Sequence, residues 1–329
     1  MFRNPAISDE NVKAILKLKD KQKWRVSDVR KKLITDNNWK KYFQKILYRP
    51  FDTRHIYYYP GLIERSRLEV MKNMLDKNLA FLTMRQVSLD EEYTHFLVSE
   101  HIVDNRAFLS SKGIMQIFPL YLYKNSKRIP NILPTLQKEL KAKFDKNVKV
   151  EEILNYIYAI SYSTIYRHKF AEFLKIDFPR IPFTTNYDLF KKIARLGKRL
   201  IDLHLMKSDE LAVPVAKFQG DGDNVVRKPI YDEKKGRVYI NKTQYFEGVE
   251  KDVWEYQIGG YQVLSKWLKD RRGRKLSLEE IKRYCKVVTA LKRTIEIQEK
   301  IDKLYPKVER ELIPYKEDKK GLEEFTKKE

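Results

Sequence analysis

A single cysteine, Cys285, excludes an internal disulfide and cannot begin a cysteine-based zinc site. Its place in a helical pattern predicts an inert, partly buried thiol. Glycine is scarce too, at 11 residues. No G-x-G-x-x-G or G-K-[ST] opens a helix after a strand, so a nucleotide-phosphate cradle has no support. The five histidines show no H-x-x-x-H pair and no H-E-x-x-H. No Asn-Pro-Pro-aromatic tetrapeptide occurs, which leaves base-amino methylation without a visible site. No apolar run approaches the roughly 18 residues of a membrane span. The N-terminus MFRNPAISDE is polar and does not read as a signal peptide. These absences predict a soluble, cytoplasmic chain with no membrane anchor, no metal and no cofactor.

Positive charge is what the sequence has in excess. Lys and Arg number 68 against 45 Asp and Glu, a formal +23 over 329 residues. With 42% hydrophobic and 12% aromatic residues, such a chain can bury one large core or two ordinary ones. The charge is clustered. Residues 1–50 hold 14 basic and 5 acidic groups, and residues 262–293 hold 11 and 3. From position 304 onward there are 7 of each. A lysine-rich genome scatters charge over every surface; clustering on this scale points instead to a polyanionic partner, above all nucleic acid.

The segment 48–67, YRPFDTRHIYYYPGLIERSR, concentrates the chemistry such a partner needs. Arg49, Arg54, Arg65 and Arg67 offer planar forks that fit phosphate oxygens or a guanine edge. Tyr57 and its neighbours offer flat faces and hydroxyls. Pro50 and the Pro60-Gly61 pair bracket a short strand with bends.

Before it, residues 1–47 read as three helices. Ser8 caps the first, Ser27 the second, and Trp39, Phe43, Ile46 and Leu47 suit a third. Residues 78–123 turn to strand-like apolar runs separated by polar stretches, and 124–131 reads as a loop. Helical patterns follow at about 133–144, 150–162, 164–174 and 187–206. FQGDGDN at 218–224 is the clearest turn cluster, and two strands joined around 234–236 come next. A helix of about 25 residues starts at a Ser277 cap, and the tail frays. The fold class expected is α+β: a mixed, strand-rich body with a helical insertion and helices at both ends. The divisions are a lead-in at 1–47, a body at 48–303 with its insertion at about 132–206, and a charged tail at 304–329.

Catalytic constellations are weak. Glu139-Leu140-Lys141 spells a nuclease-like E-x-K on a Lys/Glu-rich helix where chance hits are common. The Asp221 and Asp223 cluster lacks the downstream carboxylates of a calcium loop. Binding features are stronger. In a strand at 240–245, Asn241, Thr243 and Tyr245 would share one face, with Lys242 and Gln244 on the other. Asn and Gln pair with adenine, and Lys with guanine. The run 266–275 brings Lys266, Lys269, Arg271, Arg272 and Arg274 beside an indole, which suits a phosphate backbone. Arg54, the Arg85-Gln86 pair, Asn241 and Gln244 lie in or beside expected strands, where fixed side-chain direction suits base reading. Lys112, in a polar loop, completes the expected DNA contacts.

YRPFDTRHIYYYPGLIER, IFPLYLY, FLKIDFPRIPF, LGKRLIDLHLM, GDGDN and GRVYINKTQYFEGV…VWEYQIGGYQVLSKWLKDRRGR resemble, in order, the C-terminal part of the type ISP restriction–modification enzymes. Those enzymes join a nuclease, an ATP-driven translocase, an adenine methyltransferase and a target-recognition domain. The resemblance implies a sequence-specific duplex-DNA binding module, not catalytic by itself. Its partners would be double-stranded DNA and a methyltransferase, motor or nuclease chain or domain of the same system. It carries over no base-reading residue, because family members read different sites. Rival readings are a DNA-modifying or DNA-cleaving enzyme with an unrecognised site, and a protein-docking adaptor.

Overall fold

The structure, a computed structural model, describes residues 2–21, 24–59, 61–63, 66–125 and 127–314. Ser8 accepts a hydrogen bond from the Asn11 amide and opens α1 (Asp9–Leu16), with Asp9 and Glu10 at its positive end. Val12 is buried, whereas Ile15 and Leu16 stay exposed. The second helix, α2 (Val26–Thr35), starts one residue before the expected Ser27 cap, because the Asp20 carboxylate receives the Val26 amide instead. The third expected helix does not form. One 3-10 turn, Trp39–Tyr42, gives way to strand β1 (Phe43–Arg49). Pairing on both edges overrides the helical spacing here. β1 runs antiparallel to β2 (Asp52–Tyr57) and parallel to β5 (Ile102–Val103). The β1–β2 turn is Pro50 and Phe51. Phe51 takes a left-handed φ of 60°, uncommon for a bulky residue, and its buried ring meets His204 edge-on at 5.5 Å.

After the short helix α3 (Leu68–Met71), strands β3 (Ala80–Met84), β4 (Phe96–Ser99) and β6 (Met115–Pro119) form an antiparallel sheet in the order β4-β3-β6. The expected loop at 124–131 is instead half of a hairpin, β7 (Tyr121–Lys124) with β8 (Lys127–Pro130). Asn125 at φ 46° supplies the left-handed turn that Asn tolerates.

The helical insertion follows the sequence pattern: α4 (Pro134–Phe144), α5 (Val150–Tyr162), α6 (Thr164–Lys169), α7 (Ala171–Ile176) and α8 (Tyr187–His204). Its third segment is split at Phe170. α5 and α8 cross closely because Gly197 has no side chain. A Cβ there would lie 1.8 Å from the Asn155 carbonyl oxygen.

The chain then forms a four-stranded antiparallel sheet, ordered β10-β11-β12-β9, from β9 (Lys217–Gln219), β10 (Ile230–Asp232), β11 (Arg237–Tyr239) and β12 (Tyr245–Glu247). Helix α9 (Lys251–Glu255) and the ladder of β13 (Gln257–Ile258) with β14 (Tyr261–Gln262) lead to α10 (Val263–Lys269). The capping box of Ser277 and Glu280 opens α11 (Leu278–Arg310), 33 residues long against the 25 or so expected. It packs on α5, α6, α8, α9 and β9, and one core cluster runs from Leu47 in the hairpin to Val308. This is the α+β architecture expected. Residues 315–329 of the charged tail lie outside the described residues. Cys285 is buried, which pushes its thiol up to about 11. Among the described residues, no helix is long and apolar enough to cross a membrane.

Candidate nucleic-acid interface

The tip of the first hairpin and the basic run after α10 meet at Asp52. Its carboxylate is buried and accepts from Arg271 Nη2 at 2.9 Å and Nη1 at 3.3 Å. Arg54 Nη2 adds a contact at 2.9 Å. Arg271 also reaches Glu280 at 3.1 Å and lies over the Trp267 ring, 3.4 Å from its centroid. Burial pushes the Asp52 carboxyl up, but hydrogen bonds and charge from Arg271, then Arg54, outweigh it and hold the group below its ordinary value.

From this anchor the chain turns at Gly273, whose φ is 77°. The Gly273 amide donates to the Val226 carbonyl at 2.7 Å, Val226 to that of Arg274 at 3.0 Å, and Leu276 to that of Asn224 at 2.9 Å. The next residue along, Arg227, donates its amide to Ile240 at 2.8 Å. The basic loop therefore lies against 224–227, and 224–227 against the β11–β12 turn. Gly220 completes the arrangement. A Cβ on it would meet the Thr243 carbonyl oxygen at 2.1 Å, and its φ is 89°. The Thr243 hydroxyl donates to the Asp221 carbonyl at 2.7 Å. Three turns, at 220–224, 240–244 and 271–276, thus form one face.

Lys228, Lys242, Lys269, Arg272 and Lys275 are exposed near or on this face. Among the described residues, none of the five has a carboxylate partner. Arg274 shares Glu280 at 3.2 Å, and Arg227 pairs with Asp223 at 2.6 Å. A hydrogen bond from Arg227 holds the Asp223 carboxyl down at about 2. Arg54 reaches the same region through Asp52, with 37% of its side chain exposed and its guanidinium 3.7 Å from the Tyr48 ring centroid. Arg227, Lys228 and Lys275 were absent from the sequence-based set. Arg227 and Lys228 directly follow the GDGDN turn, and Lys275 closes the basic run 266–275.

Several expectations are corrected. Residues 240–244 are a turn, not a strand with two alternating faces. Asn241 Oδ1 accepts the amides of Thr243 and Gln244 at 3.1 and 2.8 Å, the turn chemistry typical of Asn. Gln244 is buried. Its side-chain oxygen accepts from the Asn224 amide at 2.8 Å and from Asn241 Nδ2 at 2.9 Å, and its nitrogen donates to Asn224 Oδ1 at 2.6 Å. Gln244 and Asn241 hold the three turns together and have little left for a base edge. Arg271, expected to grip phosphate, is likewise buried with its fork engaged. Lys266 is tied to Asp270 at 2.5 Å. Tyr245 opens β12, where its ring packs on Tyr239 at 5.1 Å under the Arg237 guanidinium.

The other expected residues lie elsewhere. Arg85, Gln86 and Lys112 gather at one end of the β4-β3-β6 sheet, where a Cβ on Gly113 would meet the Gln86 carbonyl at 2.8 Å. Arg85 contacts Asp177 at 3.3 Å, and Gln86 donates to the Ile176 carbonyl at 3.3 Å. Exposed Leu89, Ile114, Phe118, Ile176 and Phe178 surround them. Arg49 is largely buried, bound to Asp104 at 3.0 Å and stacked on Tyr48. Tyr57 packs against Tyr42 and Phe43 at 5.7 and 5.0 Å. Arg67 donates to the Met115 carbonyl at 3.1 Å. All three make contacts within the fold. Arg65 lies outside the described residues. Among the described residues, no three His, Cys, Asp or Glu side chains gather closely enough to hold a metal ion.

The family model of the Type ISP C-terminal specificity domain matches residues 3–300. No curated protein sequence matches the chain. Among solved structures, the chain is similar to part of the DrdV–DNA complex (TM-score 0.68, 20% identity, 83% of this chain and 30% of that one). It is also similar to the ATP-dependent Type ISP restriction-modification enzyme LlaBIII bound to DNA (0.64, 20%, 82% and 19%). A third likeness is to a nuclease-deletion mutant of the Type ISP enzyme LlaGI in complex with a DNA substrate mimic (0.61, 19%, 84% and 26%). The chain therefore spans less than a third of each of these larger chains, and at such identity the likeness concerns the fold.

Proposed function

We propose a function from one premise: the chain belongs to the family of Type ISP C-terminal specificity domains. In this reading it is the module that recognises a duplex-DNA target for a restriction–modification system, and it is not catalytic by itself. The observation that carries the reading is the three-turn face, with exposed cations that no carboxylate among the described residues neutralises. Lys269, Arg272 and Lys275 grip phosphates there. Arg54, Lys242 and Thr243 are the side chains placed to meet base edges. Turns suit this task, because they accept changes of side chain while the scaffold beneath stays constant. The group of Arg85, Gln86 and Lys112 is a second proposed contact.

The proposed recognition body begins with β1 at Phe43 rather than at 48 and runs to the end of α11 at Arg310 rather than to 303, because Leu47, Tyr305 and Val308 belong to the core. Its insertion is at about 132–206. Nuclease, motor and methyltransferase activities would come from other domains or a partner chain, in the cytoplasm where the target DNA lies. Selection from a random duplex library tests the reading. The chain should enrich one short motif, with affinity that falls steeply as salt rises. With Mg²⁺, ATP and S-adenosylmethionine it should neither cut nor methylate. Recovery of duplexes with no common motif, or binding indifferent to salt, would overturn the proposal.

A further inference from the structure

A groove of about 1430 Å³ runs between the two N-terminal helices and the open end of the β1–β2 hairpin. The three-turn face lies at the opposite, closed end of that hairpin. Six residues at about 3.3 Å each put the two regions roughly 20 Å apart. The groove therefore requires its own account.

Its lining is one-sided in charge. Lys17, Lys19, Arg25, Lys32 and Lys41 border it, all exposed, and among the described residues Asp28 is the one carboxylate that lines it. Among the described residues, none of the five cations forms an ion pair. Flat rings stand between them. Trp24, Tyr42 and Tyr59 line the groove and are partly exposed. The Trp24 ring is fixed by a hydrogen bond from Nε1 to the Gly61 carbonyl at 2.5 Å. Tyr42 and Tyr59 meet edge to face at 4.9 Å, and the Lys41 ammonium lies 5.1 Å from the Tyr42 centroid.

We propose that this groove holds a single-stranded segment of nucleic acid. The groove is open along its length rather than an enclosed cavity, a shape that suits a stretch of polymer better than a small molecule buried on all sides. The cations call for a polyanion. The rings select among polyanions: unpaired bases stack on aromatic faces, whereas a duplex keeps its bases stacked on one another. An acidic peptide would satisfy the lysines and leave the rings unused. This site goes beyond the duplex-reading proposal and stands independently of it.

The test uses the full chain and a labelled oligothymidine of about twelve nucleotides, followed by fluorescence anisotropy. The double variant Lys19→Glu with Lys32→Glu should abolish most binding. Lys19→Ala with Lys32→Ala should flatten its salt slope by about 1.4, at 0.7 per lost contact on a single strand. Tyr59→Ala should weaken binding about tenfold with the salt slope unchanged. Binding to selected against scrambled duplex should keep its ratio in all three variants. Conversely, Arg272→Ala should weaken duplex binding and leave oligothymidine unaffected, so the two readings fail separately. The groove proposal is overturned by unchanged oligothymidine affinity in the folded groove variants. It is equally overturned if oligoglutamate, or a duplex of the same length, competes as well as an unlabelled single strand.

Discussion

Asp52 and Arg271 stand 219 residues apart in sequence and form one buried ion pair, with the two terminal guanidinium nitrogens on the two carboxylate oxygens at 2.9 and 3.3 Å. The pair joins the tip of the first hairpin to the start of the basic loop. Arg283 adds a second tie from α11, donating to the Phe51 carbonyl at 3.1 and 3.2 Å. The loop that carries Arg272 and Arg274 is therefore positioned by a residue on the far side of the helical insertion.

Removing one partner of such a pair leaves the other charge buried alone, at a cost on the order of 3–5 kcal/mol. Asp52→Asn should accordingly lower the urea midpoint at neutral pH. The pH dependence has a definite sign. The folded carboxyl titrates below its ordinary 3.8, so its stabilisation is present above that value and is lost as pH falls through the lower folded one. The stability gap between native chain and variant should stay flat near neutrality and close only below about pH 4. A gap that closes between pH 7 and 5 would assign the linkage to another group.

Gln244 offers a sharp contrast between scaffold and reader. Its buried amide satisfies the Asn224 amide and Asn241, so Gln244→Ala leaves polar groups unpaired at about 1–3 kcal/mol. Thermal melting should drop, and affinity for target and scrambled duplex should fall together. Loss on the target alone, with an unchanged melting temperature, would make it a base reader after all.

The extent to which this was legible in sequence follows from the range of each interaction. Periodicity marked α5 and α8, and the Ser277 and Glu280 letters marked the start of α11, because those signals are local. β1 was misread as a helix because its pairing partners, β2 and β5, carry the deciding information. The buried state of Arg271 was invisible for the same reason: nothing in KDRRGRK tells which arginine has an aspartate waiting 219 residues upstream. Gln244 was a different kind of miss. Asn241 followed by Lys and Thr is turn chemistry that can be read locally, but the burial of Gln244 depends on Asn224, which the fold brings from 20 residues upstream.

Gly197 tests the helical scaffold. In an exposed helix, Gly→Ala gains about 1 kcal/mol of propensity. Here the new Cβ would sit 1.8 Å from a backbone oxygen of Asn155 and 3.2 Å from the Ala159 Cβ. Backbone cannot rotate away, so α5 and α8 must separate, and overpacking of about 1–3 kcal/mol or more should win. Gly197→Ala is expected to lower the melting temperature while leaving duplex selectivity intact below the transition. A more stable variant would contradict the close crossing.

The last prediction separates gripping from reading on the three-turn face. Lys269 and Arg272 are exposed and have no carboxylate partner among the described residues. Each can follow a phosphate wherever the backbone passes, which gives affinity without a preferred base. Lys269→Ala or Arg272→Ala should weaken every duplex alike and reduce the salt slope by about 0.9. Arg54 is held differently. Two of its nitrogens contact Asp52 at 2.9 and 3.2 Å, and its plane rests on Tyr48. What remains exposed is one edge of a fork whose direction is set in advance, the condition for a directional base contact. Arg54→Lys keeps the charge and removes the fork. It should cost about 1–3 kcal/mol on the selected target and almost nothing on scrambled duplex. Its salt slope should stay that of the native chain. Titrations of each variant against both duplexes, at two salt concentrations, read all of these quantities. If Arg54→Lys loses equally on both duplexes, Arg54 grips rather than reads, and base recognition must be sought at Lys242 and Thr243.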